Sequence, residues 1–133
     1  MSQVDETFFT IVGCVDGRVQ NASVEFGKRK FGTEYPDTIT EAGLVGMLAN
    51  NPSEEFIKSL KEKIYISLEK HHSKGILVSG HAECAGNPVS DEQQKQDVLK
   101  SVDVIKSIVP SGTQVVPIFV KRENGNWVVE ELQ

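Results

Sequence analysis

Apolar residues in this chain come in short blocks, and the spacing within the blocks changes along its length. Phe8-Phe9-Thr10-Ile11-Val12 is an apolar run ended by Gly13, the pattern of a buried strand. A long polar, glycine-rich stretch from Cys14 to about Thr33 follows and reads as loop. Tyr35 to Thr40 fits a second short strand, with Pro36 near its start, where a missing backbone donor is tolerated. Glu41 to Leu48 suits one or two helical turns, weakened by Gly43 and Gly46.

The spacing then turns helical. Asn51 offers a cap, Pro52 a first helical position and Glu54 a capping-box partner, and Ile57, Leu60, Ile64 and Leu68 recur on one face. Lys70, His71 and His72 fall in the last turn and Gly75 is the expected stop. Ile76-Leu77-Val78-Ser79 is a continuous apolar run of the kind that central parallel strands carry. Ser90 and Gln93 cap a second long helix that turns Val98, Leu99, Val102, Ile105 and Ile108 inward, and Pro110 closes it. Val115 to Lys121 reads as a strand, and Asn124-Gly125 as a two-residue hairpin turn into Trp127-Val128-Val129.

That order predicts an α/β fold: a mainly parallel central sheet flanked by helices, with an antiparallel C-terminal edge hairpin. No repeat, low-complexity tract or linker divides residues 1–133, so a single domain is expected. Binding sites in such sheets form just beyond the carboxyl ends of strands.

Composition narrows the function classes. With 38% hydrophobic and 25% charged residues the chain is neither disordered nor membrane-spanning in character. A net charge of −5 argues against a nucleic-acid partner, and the short run Lys28-Arg29-Lys30 reads as a solvated loop. The opening Met1-Ser2-Gln3-Val4-Asp5-Glu6 has no basic, apolar targeting pattern, so a cytoplasmic protein without a membrane partner is expected. Of two cysteines in a reducing compartment, metal binding or catalysis is a commoner use than a disulfide.

Both cysteines fall at predicted strand exits. Cys14-Val15-Asp16-Gly17-Arg18 follows the first strand, and His81-Ala82-Glu83-Cys84 follows the apolar run ending near Gly80. If those strands are neighbours, two thiolates and one imidazole converge, a ligand set that suits zinc and leaves a fourth position open. Spacing and position alone leave a second reading equally open, that the cysteines are small buried hydrophobes. Asp16 and Arg18 taken alone would be an ordinary turn with a surface ion pair.

Cys-x-Asp-x-Arg after the first strand, with Gly-His-x-x-Cys after a later apolar strand, resembles the signature of the β-class carbonic anhydrases. The match covers Cys14, Asp16, Arg18, Gly80, His81 and Cys84, and the order of elements agrees from about Phe8 to Val120. The resemblance implies zinc on Cys14, His81 and Cys84, and hydroxide formed at the metal near neutral pH that attacks carbon dioxide to give bicarbonate. It implies that Asp16 accepts a hydrogen bond from that hydroxide, or turns onto the metal as a fourth ligand in a closed state. Arg18 would pair with Asp16 in a bidentate fork and keep it ionised. A homodimer or higher even homo-oligomer is implied as well.

The sequence also departs from that family. The usual Arg-Asn-Ala-Gly stretch is represented by Thr40-Glu41-Ala42-Gly43, and the glycine after the last cysteine stands one place later, as Gly86. Only about seven residues precede the first strand, where the family carries N-terminal helices. These departures motivate an alternative, a zinc-binding relative without turnover that acts as a binding or structural module. A metal-free cysteine hydrolase is a weaker third reading, because His81 and Cys84 lie too close in sequence for base and nucleophile. His71 and His72 read as helix-end residues rather than proton shuttles.

Overall fold

The computed structural model describes residues 6–133; the opening residues 1–5, read above for a targeting signal, lie outside them. Strands β1 (Phe8–Gly13), β2 (Tyr35–Thr40), β3 (Ile76–His81) and β4 (Val115–Glu123) run parallel, and β5 (Asn126–Glu131) returns antiparallel along β4. Their order is β2-β1-β3-β4-β5. The hairpin turn forms as its sequence requires, with Asn124 and Gly125 both left-handed (φ 53° and 80°). The α/β sheet with an antiparallel edge therefore stands as expected.

Successive strand side chains alternate between two cores. On one face Phe9, Ile11, Leu77, Val116, Ile118 and Val120 pack under helix α1 (Gln20–Phe31). On the other, Val12, Ile76, Val78 and Val115 meet α2 (Leu44–Ala49), α3 (Glu54–Tyr65) and α4 (Asp91–Lys106). β2 lies on one side of β1 and β3 on the other, so the direction of winding reverses between β1 and β3. A cleft beyond their carboxyl ends is where that topology leaves room for a site.

The stretch expected as loop from Cys14 to Thr33 is mostly helix. A short 3₁₀ turn, Gly17–Val19, leads into α1. The buried positions of α1 are Ser23 and Gly27, small residues one turn apart, because the helix presses close to the sheet. A Cβ on Gly27 would lie 2.0 Å from the Phe9 ring. Lys28, Arg29 and Lys30 are exposed as expected, but in the last turn of this helix, where cations complement the dipole.

Smaller corrections follow the same logic. Ser53, not Asn51, caps α3, accepting the Phe56 N–H at 3.1 Å; Asn51 takes a left-handed conformation before Pro52. α3 continues as a π-helical turn, Ile66–Lys70, and the left-handed stop is His72 (φ 56°) rather than Gly75. Gly75 instead makes room for Phe31, whose ring stands 2.3 Å from where a Cβ would be. Ser90 does cap α4 through the Gln93 N–H, at 3.1 Å. Val98, Val102 and Ile105 hold its inward stripe, whereas Leu99 faces outward and is exposed. Among the described residues no helix is long and apolar enough to cross a membrane.

Candidate metal centre

β1 and β3 pair directly, with Thr10, Ile11 and Val12 opposite Ile76, Leu77 and Val78. Cys14 follows the last residue of β1, and His81 is the last residue of β3, so both reach the same sheet edge. Cys84 comes back to them through a turn in which Glu83 is left-handed (φ 60°). The ligand atoms of Cys14, His81 and Cys84 lie within 4.8 Å of one another, and all three residues are buried.

Their chemistry fits a metal ion. Both cysteines are free, and their sulfurs are 3.8 Å apart. Two zinc–sulfur bonds of about 2.3 Å at a tetrahedral angle span about the same separation, roughly 3.8 Å, far beyond a disulfide's roughly 2 Å. His81 Nδ1 donates to the Ala82 carbonyl at 2.7 Å. A carbonyl only accepts, so Nδ1 carries a proton and Nε2 is the ring atom left for a metal. That Nε2 is buried without a hydrogen-bond partner, an arrangement that is costly unless a ligand completes it.

The surroundings of the sulfurs pull in both directions, and for Cys84 burial prevails. Burial and the adjacent Cys14 push the Cys84 thiol up, while backbone N–H groups of Asn87 and Gly86 act in the opposite sense. The Gly43 N–H donates to Cys14 Sγ at 3.4 Å. A cation would reverse the upward pressure, since a coordinating thiol is deprotonated outright.

The loop around Cys14 is tied locally. Gln20 Nε2 donates to the Cys14 carbonyl at 2.9 Å and to the Asp16 carbonyl at 2.7 Å. Asp16 caps the 3₁₀ turn through the Arg18 N–H. Its carboxylate takes the Arg18 guanidinium in a fork, Nε to Oδ1 at 3.0 Å and Nη2 to Oδ2 at 2.7 Å. Those hydrogen bonds outweigh partial desolvation and hold the Asp16 carboxyl at about 2. Asp16 Oδ2 stands 4.0 Å from His81 Nε2, beside the three ligand atoms rather than among them.

Glu83, Arg122 and Trp127 also belong to this rim, although no motif in the sequence marks them as part of a site. Gln20 was hidden inside the presumed loop. The one available signal was the place of Glu83 between His81 and Cys84. His71 and His72 are not near the triad: His71 stacks on Phe8 and bonds Asp37 at the opposite end of β1.

The retained Ala-Gly pair and the displaced glycine meet in space. A Cβ on Gly43 would lie 2.4 Å from the Gly86 carbonyl oxygen, and one on Gly86 would lie 2.7 Å from the Ala42 carbonyl carbon. The Ala-Gly pair and the displaced glycine are therefore two sides of one backbone contact that brings the Cys84 loop against Gly43, and so toward Cys14.

A family model described as "Putative carbonic anhydrase" matches residues 4–133. A search among curated proteins finds no match. Among solved structures, the chain is similar to the carbonic anhydrase of Streptococcus mutans, with 18% identity, 94% of this chain and 81% of that one covered, and a TM-score of 0.61. It is similar to beta-carbonic anhydrase isoform I of Trichomonas vaginalis, with 15% identity, coverages of 92% and 80%, and a TM-score of 0.60. A tetrameric beta-carbonic anhydrase of Sordaria macrospora gives 15% identity, coverages of 96% and 81%, and a TM-score of 0.62. At such identities the likeness is one of fold.

Proposed function

The chain belongs to the carbonic anhydrase family matched over residues 4–133, and on that premise we propose that it binds zinc through Cys14, His81 and Cys84 and hydrates carbon dioxide reversibly to bicarbonate. The observation that carries this reading is the buried, unpartnered Nε2 of His81 facing two free thiols 3.8 Å apart. Zinc held there supplies a Lewis acid that makes water a nucleophile near neutral pH.

The remaining work falls to Asp16 and Arg18. Arg18 keeps Asp16 ionised and fixes the plane of its carboxylate. From 4.0 Å beside His81 Nε2, Asp16 Oδ2 can accept a hydrogen bond from the attacking water and aim its lone pair at carbon. Stopped-flow hydration at pH 8.5 on protein carrying about one zinc per chain tests the proposal. A rate clearly above buffer is expected; a buffer rate at full zinc occupancy leaves the alternative, zinc binding without turnover.

One observation favours that alternative for an isolated chain. Val15, next to Cys14, is 54% exposed, so the apolar side of the rim is open to water. We propose that a second copy covers it in a homodimer or higher even assembly, a reading supported by the tetrameric relative. Light scattering at micromolar concentration should give at least twice the 14.7 kDa chain mass. A monomer mass counts against it.

A further inference from the structure

Arg18 reaches Asp16 from only two residues away, and its side chain is 42% exposed. Glu83 and Arg122 are as exposed, at 49% and 46%. Exposed pairs hold their geometry only where they are bidentate or joined in a network, since solvent competes and long side chains lose rotamer freedom on pairing. Here the guanidinium is engaged on both sides. Opposite Asp16, Nη1 donates to Glu83 Oε1 at 3.2 Å and Nη2 to the Glu83 carbonyl at 3.1 Å. Glu83 is itself held by Arg122, whose Nε donates to Oε2 at 2.8 Å. Trp127 lies across both cations, its ring centre 5.1 Å from Arg18 Cζ and 4.5 Å from Arg122 Cζ.

These four residues come from separate elements. Arg18 follows β1, Glu83 follows β3, and Arg122 near the end of β4 pairs with Trp127 near the start of β5. Glu83 takes a left-handed backbone, costly for a side-chain-bearing residue. In that conformation both its carbonyl and its carboxylate reach the same guanidinium.

We propose that Glu83, braced by Arg122 and Trp127, is a positioning residue that clamps Arg18 and through it sets the Asp16 carboxylate beside the triad. The inference rests on the reading of this site as a carbonic anhydrase centre. It adds to that reading a clamp anchored on the C-terminal hairpin. Asp16 then has a fixed orientation without touching the hairpin itself, because the planar fork of Arg18 transmits the constraint.

The test uses zinc-loaded protein and the Nε–H resonances of Arg18, Arg29 and Arg122. In the unmodified protein the Arg18 Nε–H should exchange slowly with water. Glu83→Ala should speed that exchange and lower kcat/KM by about 10–100-fold, the usual range for a partner that orients a site, with zinc still near one per chain. On an Arg18→Ala background the same substitution should cost nothing further. Arg122→Ala approaches the clamp from outside the metal loop and should act in the same direction, with Arg122→Lys restoring part of the effect.

Unchanged Arg18 exchange in both alanine variants overturns the clamp, as does loss of zinc in Glu83→Ala, which would place its role on the ligand loop. Equal losses with and without Arg18 overturn it too. If the unmodified protein hydrates no carbon dioxide, the proposed activity fails, and the exchange measurements still decide the clamp.

Discussion

On the proposed zinc-hydratase reading, replacing His81 with alanine is expected to leave the protein folded while abolishing zinc binding and bringing carbon dioxide hydration to the buffer rate. The substitution deletes one of three ligand side chains, so the loss of affinity should exceed the roughly 10–100-fold that accompanies removal of a ligand's orienting partner. His81 is only 1% exposed, and truncating a well-packed core residue usually costs about 2–5 kcal/mol. Here part of that cost should be offset in the metal-free protein, because the deleted ring carries a buried nitrogen without a partner. Chelator competition measures the affinity, and urea unfolding of metal-free and zinc-loaded samples separates the metal from the fold. Zinc retained at about one per chain with unchanged affinity would remove His81 from the ligand set.

A methyl group on Gly43 should be the most damaging small substitution at the site. Gly43 is left-handed (φ 63°), and a Cβ there would lie 2.4 Å from the carbonyl oxygen and 2.5 Å from the carbonyl carbon of Gly86. Both atoms are backbone, so no side chain can rotate away. The left-handed penalty of about 1 kcal/mol and an overpacking cost of about 1–3 kcal/mol give roughly 2–4 kcal/mol for Gly43→Ala. The same displacement would push the Cys84 loop from Cys14 and weaken the proposed zinc binding. Gly17→Ala is the control, since nothing lies within 4 Å of its Cβ position, and it should shift stability by less than about 0.5 kcal/mol. Similar urea midpoints for the two variants would contradict the account.

The parts of the fold that were legible in the sequence share one property: their side chains record their own burial. Ile76-Leu77-Val78 is apolar throughout because β3 is covered on both faces. Val98, Val102 and Ile105 recur at helical spacing because one face of α4 meets the other helices and the sheet. Asn124-Gly125 announces its turn because both positions need a positive φ. α1 was invisible for the opposite reason. Its closest contact with the sheet is made by Ser23 and Gly27, so small residues hold the inward centre while Val24, Phe26 and Phe31 pack only partly buried at its flanks, and no clean apolar period results.

At the site, the legible part was side-chain type and place: two thiols and an imidazole at strand exits, with Asp16 and Arg18 two residues apart. Those are local facts, written in residue types and short spacings. Tertiary structure alone decided that β1 and β3 are neighbours, which turns two distant motifs into one cluster. It also decided that Gly43 and Gly86 touch, and that Glu83, Arg122 and Trp127 gather around Arg18. Each of these contacts joins strand ends or loops far apart in the chain. Strand order and loop approach set such meetings, and no periodicity or spacing within one segment encodes them.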